Sequence, residues 1–304
     1  MTYKYYGLLL LTCLCWAGNF VVSKTLVEHA SPLTLTTLRW LIAAVCLVPI
    51  VWWKEKKLVP PRNAILPLFL MGSTGVVLFN LFQFYALERT TATNVGLIST
   101  LNTITIAVCS FFFLKEKLNP LQMVAMFFSL FGVFLVLTKG RLTDILFFDF
   151  NTGDMWMVAA VCIWGIYTIC SKWAMTMTSG LMAILYASIF GLMILLPLNL
   201  SNFTVTNVTP AFIGSLLYTG VISTVLCMLL WTICVQKLGA TTSGVFLNFN
   251  PIFTAIMAYI LLGEQMTWVQ IIGSMIVIAG CFLFTYFKGR VLTKRKMAPP
   301  LHAG

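Results

Sequence analysis

Charged residues punctuate long apolar runs along this chain. No Asp, Glu, Lys or Arg falls between Lys4 and Lys24, Arg62 and Glu88, Arg89 and Lys115, or Lys117 and Lys139. The stretch from Trp173 to Gln236 carries none, nor do Leu238–Gly263 and Gln265–Phe287. A helix needs about 20 apolar residues to cross a bilayer. Each gap has room for one such helix, and the longest has room for two. The pattern predicts ten helices, at 5–26, 32–53, 64–87, 92–114, 120–138, 155–176, 180–198, 210–235, 240–262 and 266–287. Turn residues fall near the predicted boundaries: Pro32, Pro60-Pro61, Asn119-Pro120, Gly180 and Pro210.

Composition removes the soluble alternative. The 304 residues are 60% hydrophobic and 9% charged, against about 45–50% and 25% in soluble domains. The net charge of +11 would raise nucleic acid as a partner in a soluble protein, but here its placement explains it. With both ends cytoplasmic, the inside segments hold Lys4, Lys54, Lys56, Lys57, Arg62, Lys115, Lys117, Lys237, Lys288, Arg290, Lys294, Arg295 and Lys296. The outside segments hold only Arg89, Lys139 and Arg141. That bias follows the positive-inside rule. It predicts a multi-pass plasma-membrane protein whose partners are lipid and a small molecule, with no nucleic acid. All nine cysteines fall in predicted spans without metal-ligand spacing, which implies reduced packing residues and no metal or cofactor.

The chain nearly repeats itself at an offset of 148 residues. Trp16, Ser23 and Lys24 match Trp164, Ser171 and Lys172. Asn102, Ile104 and Ala107 match Asn250, Ile252 and Ala255. Leu114, Glu116 and Gln122 match Leu262, Glu264 and Gln270. Each half holds five predicted spans, an odd number, so the second half enters the membrane from the opposite side. The predicted fold is an all-α integral membrane protein, with ten transmembrane helices as two inverted five-helix repeats. The repeats occupy 7–138 and 155–287, joined by an external loop at 139–154 and followed by a basic cytoplasmic tail at 288–304. Inverted repeats place binding sites at their interface and operate by alternating access; a homodimer is also compatible.

The segments 14-LCWAGNFVVSK-24 and 162-CIWGIYTICSK-172 resemble the first-helix signature of EamA-type domains. The segments 92–118 and 240–266, each reaching a terminal Glu, resemble the fourth-helix signature. The chain is similar over nearly its whole length to two-repeat members of the drug/metabolite transporter superfamily. That resemblance implies a transporter, commonly an exporter, of amino acids, metabolites or other small organic molecules. It does not specify the substrate.

Polar residues inside spans are expensive and mark candidate sites. Trp16, Asn19 and Phe20 share one helical face, as do Trp164, Tyr167, Thr168 and Ser171. Asn80, Gln83, Asn102, Trp231 and Asn250 complete the candidate lining, although each also suits interhelical packing. Pro251 removes the hydrogen bond to the Leu247 carbonyl and predicts a break or hinge in the ninth helix. Lys24 and Lys172, near helix ends, either snorkel to the interface or act as gates or contacts for a carboxylate or phosphate; Arg39 is open to both readings. Glu116 and Glu264 are read as caps of the following helix or loop closures. Asp144, Asp149 and Asp154 are read as a solvated external loop.

No acid or histidine is predicted at mid-span, so the usual proton relay is missing. That favours uniport, exchange, or coupling through the substrate's own charge. The sequence supports a carrier of small amphipathic metabolites. An exchanger of phosphorylated metabolites or nucleotide sugars is the alternative, and a membrane-embedded lipid-modifying enzyme a weaker one.

Overall fold

A computed structural model describes residues 3–56, 58–90, 92–116, 118–138, 151–201, 203–262 and 268–297. Among these residues the architecture is helical. Helix α1 (Tyr3–Leu26) leads into α2 (Pro32–Glu55), which starts with Pro32 at its first position and the Ser31 side chain accepting from the Thr34 amide. Helices α3 (Ile65–Met71) and α4 (Phe79–Arg89) flank a π-helical segment, Gly72–Leu78. Then come α5 (Ala92–Ser99), α6 (Asn102–Leu114) and α7 (Pro120–Thr138).

The second half repeats this order. It comprises α8 (Thr152–Ala174) and α9 (Gly180–Asn199), then α10 (Pro210–Leu217), a π-helical segment at Tyr218–Leu226, and α11 (Cys227–Leu238). It continues through α12 (Ala240–Phe246), a 3-10 turn at Leu247–Phe249, α13 (Asn250–Leu262) and α14 (Trp268–Met297). Among the described residues, six helical stretches are long and apolar enough to cross a membrane: Tyr3–Leu26, Pro32–Glu55, Arg62–Arg89, Thr152–Ala174, Gly180–Asn199 and Pro210–Leu238. Large side chains such as Phe112, Val124, Met193 and Phe282 stay exposed on the outer surface, as a lipid-facing belt requires.

Three predicted helices depart from continuity in ways the pattern did not anticipate. The third and eighth spans each pass through π-helix, at 72–78 and 218–226. The fourth is interrupted at 100–101, immediately before Asn102, just as the ninth is at 247–249 before Asn250. The ninth break follows the Pro251 expectation. The fourth has no proline; there the Leu101, Thr103 and Ile104 amides turn to carbonyls three residues back.

Residues that are equivalent by the 148-residue offset meet at two places. Trp16 and Trp164 meet edge to face at 5.4 Å between ring centroids. The Ser129 hydroxyl donates to the Val277 carbonyl at 3.4 Å. Near Ser129, α7 and α14 cross closely. A Cβ on Gly280 would lie 2.6 Å from the Ser129 Cβ, and one on Gly132 would lie 2.7 Å from the Gly273 carbonyl. Positions rising along α7 meet positions falling along α14, so the two helices run antiparallel. Small residues permit this approach, and van der Waals packing then holds the helices together.

Two acidic readings change in the fold. Asp154 is buried rather than solvated: it forms a capping box with Asn151 at the start of α8 and accepts from the Thr90 hydroxyl at 2.8 Å. Glu116 does not cap α7, whose first turn is served by Asn119 and Gln122. It caps α12, in the other repeat. Lys57, Lys117, Lys139, Arg141, Asp144, Asp149 and Glu264 lie outside the described residues.

Candidate functional site

A cavity opens among the two repeats, with about 410 Å³ of space between its walls when the solvent at its mouth is included. From the first repeat, α1 contributes Trp16, Asn19 and Phe20, and α2 contributes Arg39. Phe79 and Gln83 come from α4 and Asn102 from α6. The second repeat adds Trp164, Met228, Leu247 and Asn250. Asn102 and Asn250 are the first residues of the half-helices α6 and α13. Both irregular turns therefore lie beside the same space.

The walls are pinned by bonds to irregular backbone. The Trp16 indole N–H donates to the Ser223 carbonyl, in the second π segment, at 3.0 Å. Tyr218 donates its hydroxyl to the Cys15 carbonyl at 2.7 Å. Thr224 donates to the Thr219 carbonyl five residues back, at 2.7 Å. The π geometry needs such partners because its carbonyls splay from the helix axis; π segments recur at functional sites. Arg39, 3% exposed, donates from Nε to Thr224 Oγ1 at 2.6 Å and from Nη2 to Ser223 Oγ at 3.1 Å.

Some candidates lie behind the walls or elsewhere. Asn80 donates to the Gly75 and Val76 carbonyls at 2.6 and 3.2 Å, serving the first π segment. Tyr167 and Trp231 are fully buried in an aromatic cluster with Trp164, at centroid distances of 5.0 and 5.7 Å, and they back its indole. Lys24 donates to the Leu87 and Thr90 carbonyls at 2.5 and 3.1 Å, closing the negative end of α4. Lys172 pairs with Glu116 at 2.5 Å. Glu116 also accepts from the Ala240 and Thr241 amides and from the Thr241 hydroxyl. This cluster ties α8 and α12 to the end of α6. Pro251 sits buried beside Asn250. Asn248 accepts from Thr103 and donates to Ser129, outside the cavity lining.

Sequence reasoning passed over Phe79 and Met228 as lining residues, whereas the carbonyl freed by Pro251 placed Leu247 to Pro251 near a cavity or hinge, and Leu247 lines the cavity. Met228 stands 148 residues after Asn80, so the repeat itself offered that signal. Phe79 gave none, since apolar residues are ordinary inside spans.

Apolar helices in two matched halves, meeting around a cavity between broken helices, define a multi-pass membrane protein of the transporter class. The EamA-like transporter family matches residues 4–138 and 151–286. An uncharacterized transporter of Archaeoglobus fulgidus is 32% identical over 289 residues, 94% of this chain and 98% of the relative. An S-adenosylmethionine/S-adenosylhomocysteine transporter of Chlamydia trachomatis is 27% identical over 308 residues, 94% and 91% of the two chains. A solved crystal structure superposes with a TM-score of 0.75 at 16% identity, covering 95% of this chain and 99% of that one. The chain belongs to the EamA-like transporter family, within the drug/metabolite transporter superfamily.

Proposed function

We propose that this protein is a secondary transporter that exports small amphipathic metabolites, amino-acid-like compounds or drugs, across the plasma membrane by alternating access. The observation that carries the reading is the cavity between Asn102 and Asn250, each opening a half-helix beside its break. Such discontinuous helices form solute sites in carriers built from inverted repeats. The lining suits an amphipathic solute, with Trp16, Trp164 and Phe20 for its apolar body and Asn19, Gln83, Asn102 and Asn250 for its polar groups.

In this reading ten spans form two inverted repeats, 7–138 and 155–287, with both termini and the 288–304 tail cytoplasmic and 139–154 outside. Pro251 is the hinge of the ninth span. Lys172 with Glu116 forms a cytoplasmic gate, and Lys24 holds the corresponding outer position. The protein works as a monomer or homodimer in the lipid bilayer. The relative's printed cargo puts S-adenosylmethionine and S-adenosylhomocysteine among the first solutes to try. The buried cation at Arg39 keeps a second reading open, exchange of phosphorylated metabolites or nucleotide sugars.

The test is metabolite profiling of the medium of overexpressing cells, followed by counterflow of the changed compounds in proteoliposomes. Compounds that accumulate outside and show counterflow support the reading. A phosphorylated compound as the sole counterflow substrate would favour the second one. An unchanged medium with no counterflow would sink both.

A further inference from the structure

Arg39 is a charge without a counter-charge among the described residues. Nε and Nη2 are held by the neutral hydroxyls of Thr224 and Ser223, while Nη1 is buried and has no partner. The residue lines the cavity. Among the described residues, the ion pairs are Arg89 with Glu88 and Lys172 with Glu116, both at helix ends. A guanidinium does not shed its charge as an ammonium does, and leaving it unpaired at membrane depth is costly.

We propose that Arg39 is the specificity-determining anchor for a carboxylate, so that the carried solutes are small organic monocarboxylates with a flat or apolar body. This rests on the transporter reading above. With one edge of the guanidinium occupied by hydroxyls, its end remains: Nη1 and the second N–H of Nη2. That parallel pair matches the two oxygens of a carboxylate. One cation balances one negative charge, whereas a phosphate dianion would leave a charge unmatched. Trp16 and Trp164 flank the remaining space for the body of the solute. The repeat partner of Arg39 is Ala187, so the opposite half supplies no second cation at the equivalent place.

The experiment measures tryptophan-fluorescence binding and counterflow with matched pairs, L-phenylalanine against L-phenylalaninamide and L-methionine against L-methioninamide. S-adenosylhomocysteine and phenyl phosphate are run alongside. The wild-type protein is expected to bind each carboxylate at least about tenfold tighter than its amide and tighter than phenyl phosphate. Arg39→Gln should erase that preference. Arg39→Lys, which keeps the charge without the fork, should retain part of it and serves if Arg39→Gln does not fold. Equal binding of carboxylate and amide by the wild-type protein overturns the anchor and leaves the carrier reading intact, as does a preference that survives in Arg39→Gln. Preferential binding of phenyl phosphate also overturns it. Failure of every compound, amides included, counts against the carrier reading itself and takes the anchor with it.

Discussion

Replacing Glu116 with Gln should loosen the junction between the repeats. The carboxylate accepts four hydrogen bonds, one from Lys172 and three from the start of α12. The side chains of the ion pair are 27% and 22% exposed, so solvent screens them partly. Exchanging charge-assisted bonds for neutral ones costs about 1–2 kcal/mol. Losing the negative charge at a helix N-terminus adds about 0.3–1 kcal/mol, and the screened pair contributes little beyond that. A total near 2 kcal/mol lowers the melting temperature by roughly 4 °C in a chain of this size.

A thiol-reactive dye reads the unfolding, because Cys13, Cys227 and Cys281 are buried in the fold. The dependence on pH supplies a second signature. Burial works to raise the Glu116 pKa, but the hydrogen bond and charge of Lys172, with the Thr241 bonds, outweigh it and hold the carboxyl below its ordinary value. The stabilisation is therefore fully present above the ordinary carboxylate pKa and is lost as pH falls through the lowered folded value. Glu116→Gln should remove that part of the acid sensitivity, and Lys172→Met should combine with it less than additively. An unshifted melting point, or strict additivity of the two substitutions, refutes the clamp.

Three further outcomes follow from the packing and the cavity. Gly132→Leu should destabilise the protein by about 1–3 kcal/mol or more, read by the same melt, since even a Cβ there meets the Gly273 carbonyl at 2.7 Å; unchanged stability would contradict the close crossing. Asn80→Leu leaves the Gly75 and Val76 carbonyls without their side-chain donor and should cost about 1–3 kcal/mol, whereas a loss of transport at wild-type stability would instead place Asn80 against solute. Asn250→Ala and Trp164→Ala should each cut counterflow at least about tenfold while keeping the protein folded, and wild-type counterflow in both would remove the cavity from the transport path.

Much of the architecture was legible because charge is so costly in lipid that its absence outlines helices. Tyr3–Leu26, Pro32–Glu55 and Gly180–Asn199 follow the charge gaps and turn residues closely. The irregular segments were harder. Periodicity at 3.6 residues assumes one hydrogen-bond pattern, and the π segments at 72–78 and 218–226 use another. Their trace in the sequence is a run of small and hydroxyl residues, GSTG and TGVIST. The break before Asn102 carries no proline, so only its equivalence to the Pro251 break could have announced it. Residue type found amides inside spans but not what they bond: Gln83, Asn102 and Asn250 line the cavity, while Asn80 serves backbone. Arg39 was ambiguous because a single sequence does not say whether a buried cation meets an acid.

The meeting of equivalent residues at Trp16/Trp164 and Ser129/Val277 has a consequence for what a solute in the cavity would encounter. Tryptophans at 16 and 164 and asparagines at 102 and 250 present matched groups from both halves. Arg39 against Ala187 does not. The polypeptide repeats itself, but the charge written on it does not, and the guanidinium stands on the first half's side of the wall. A solute held by Arg39 as proposed therefore has one preferred heading in the cavity, its anionic end toward the first half.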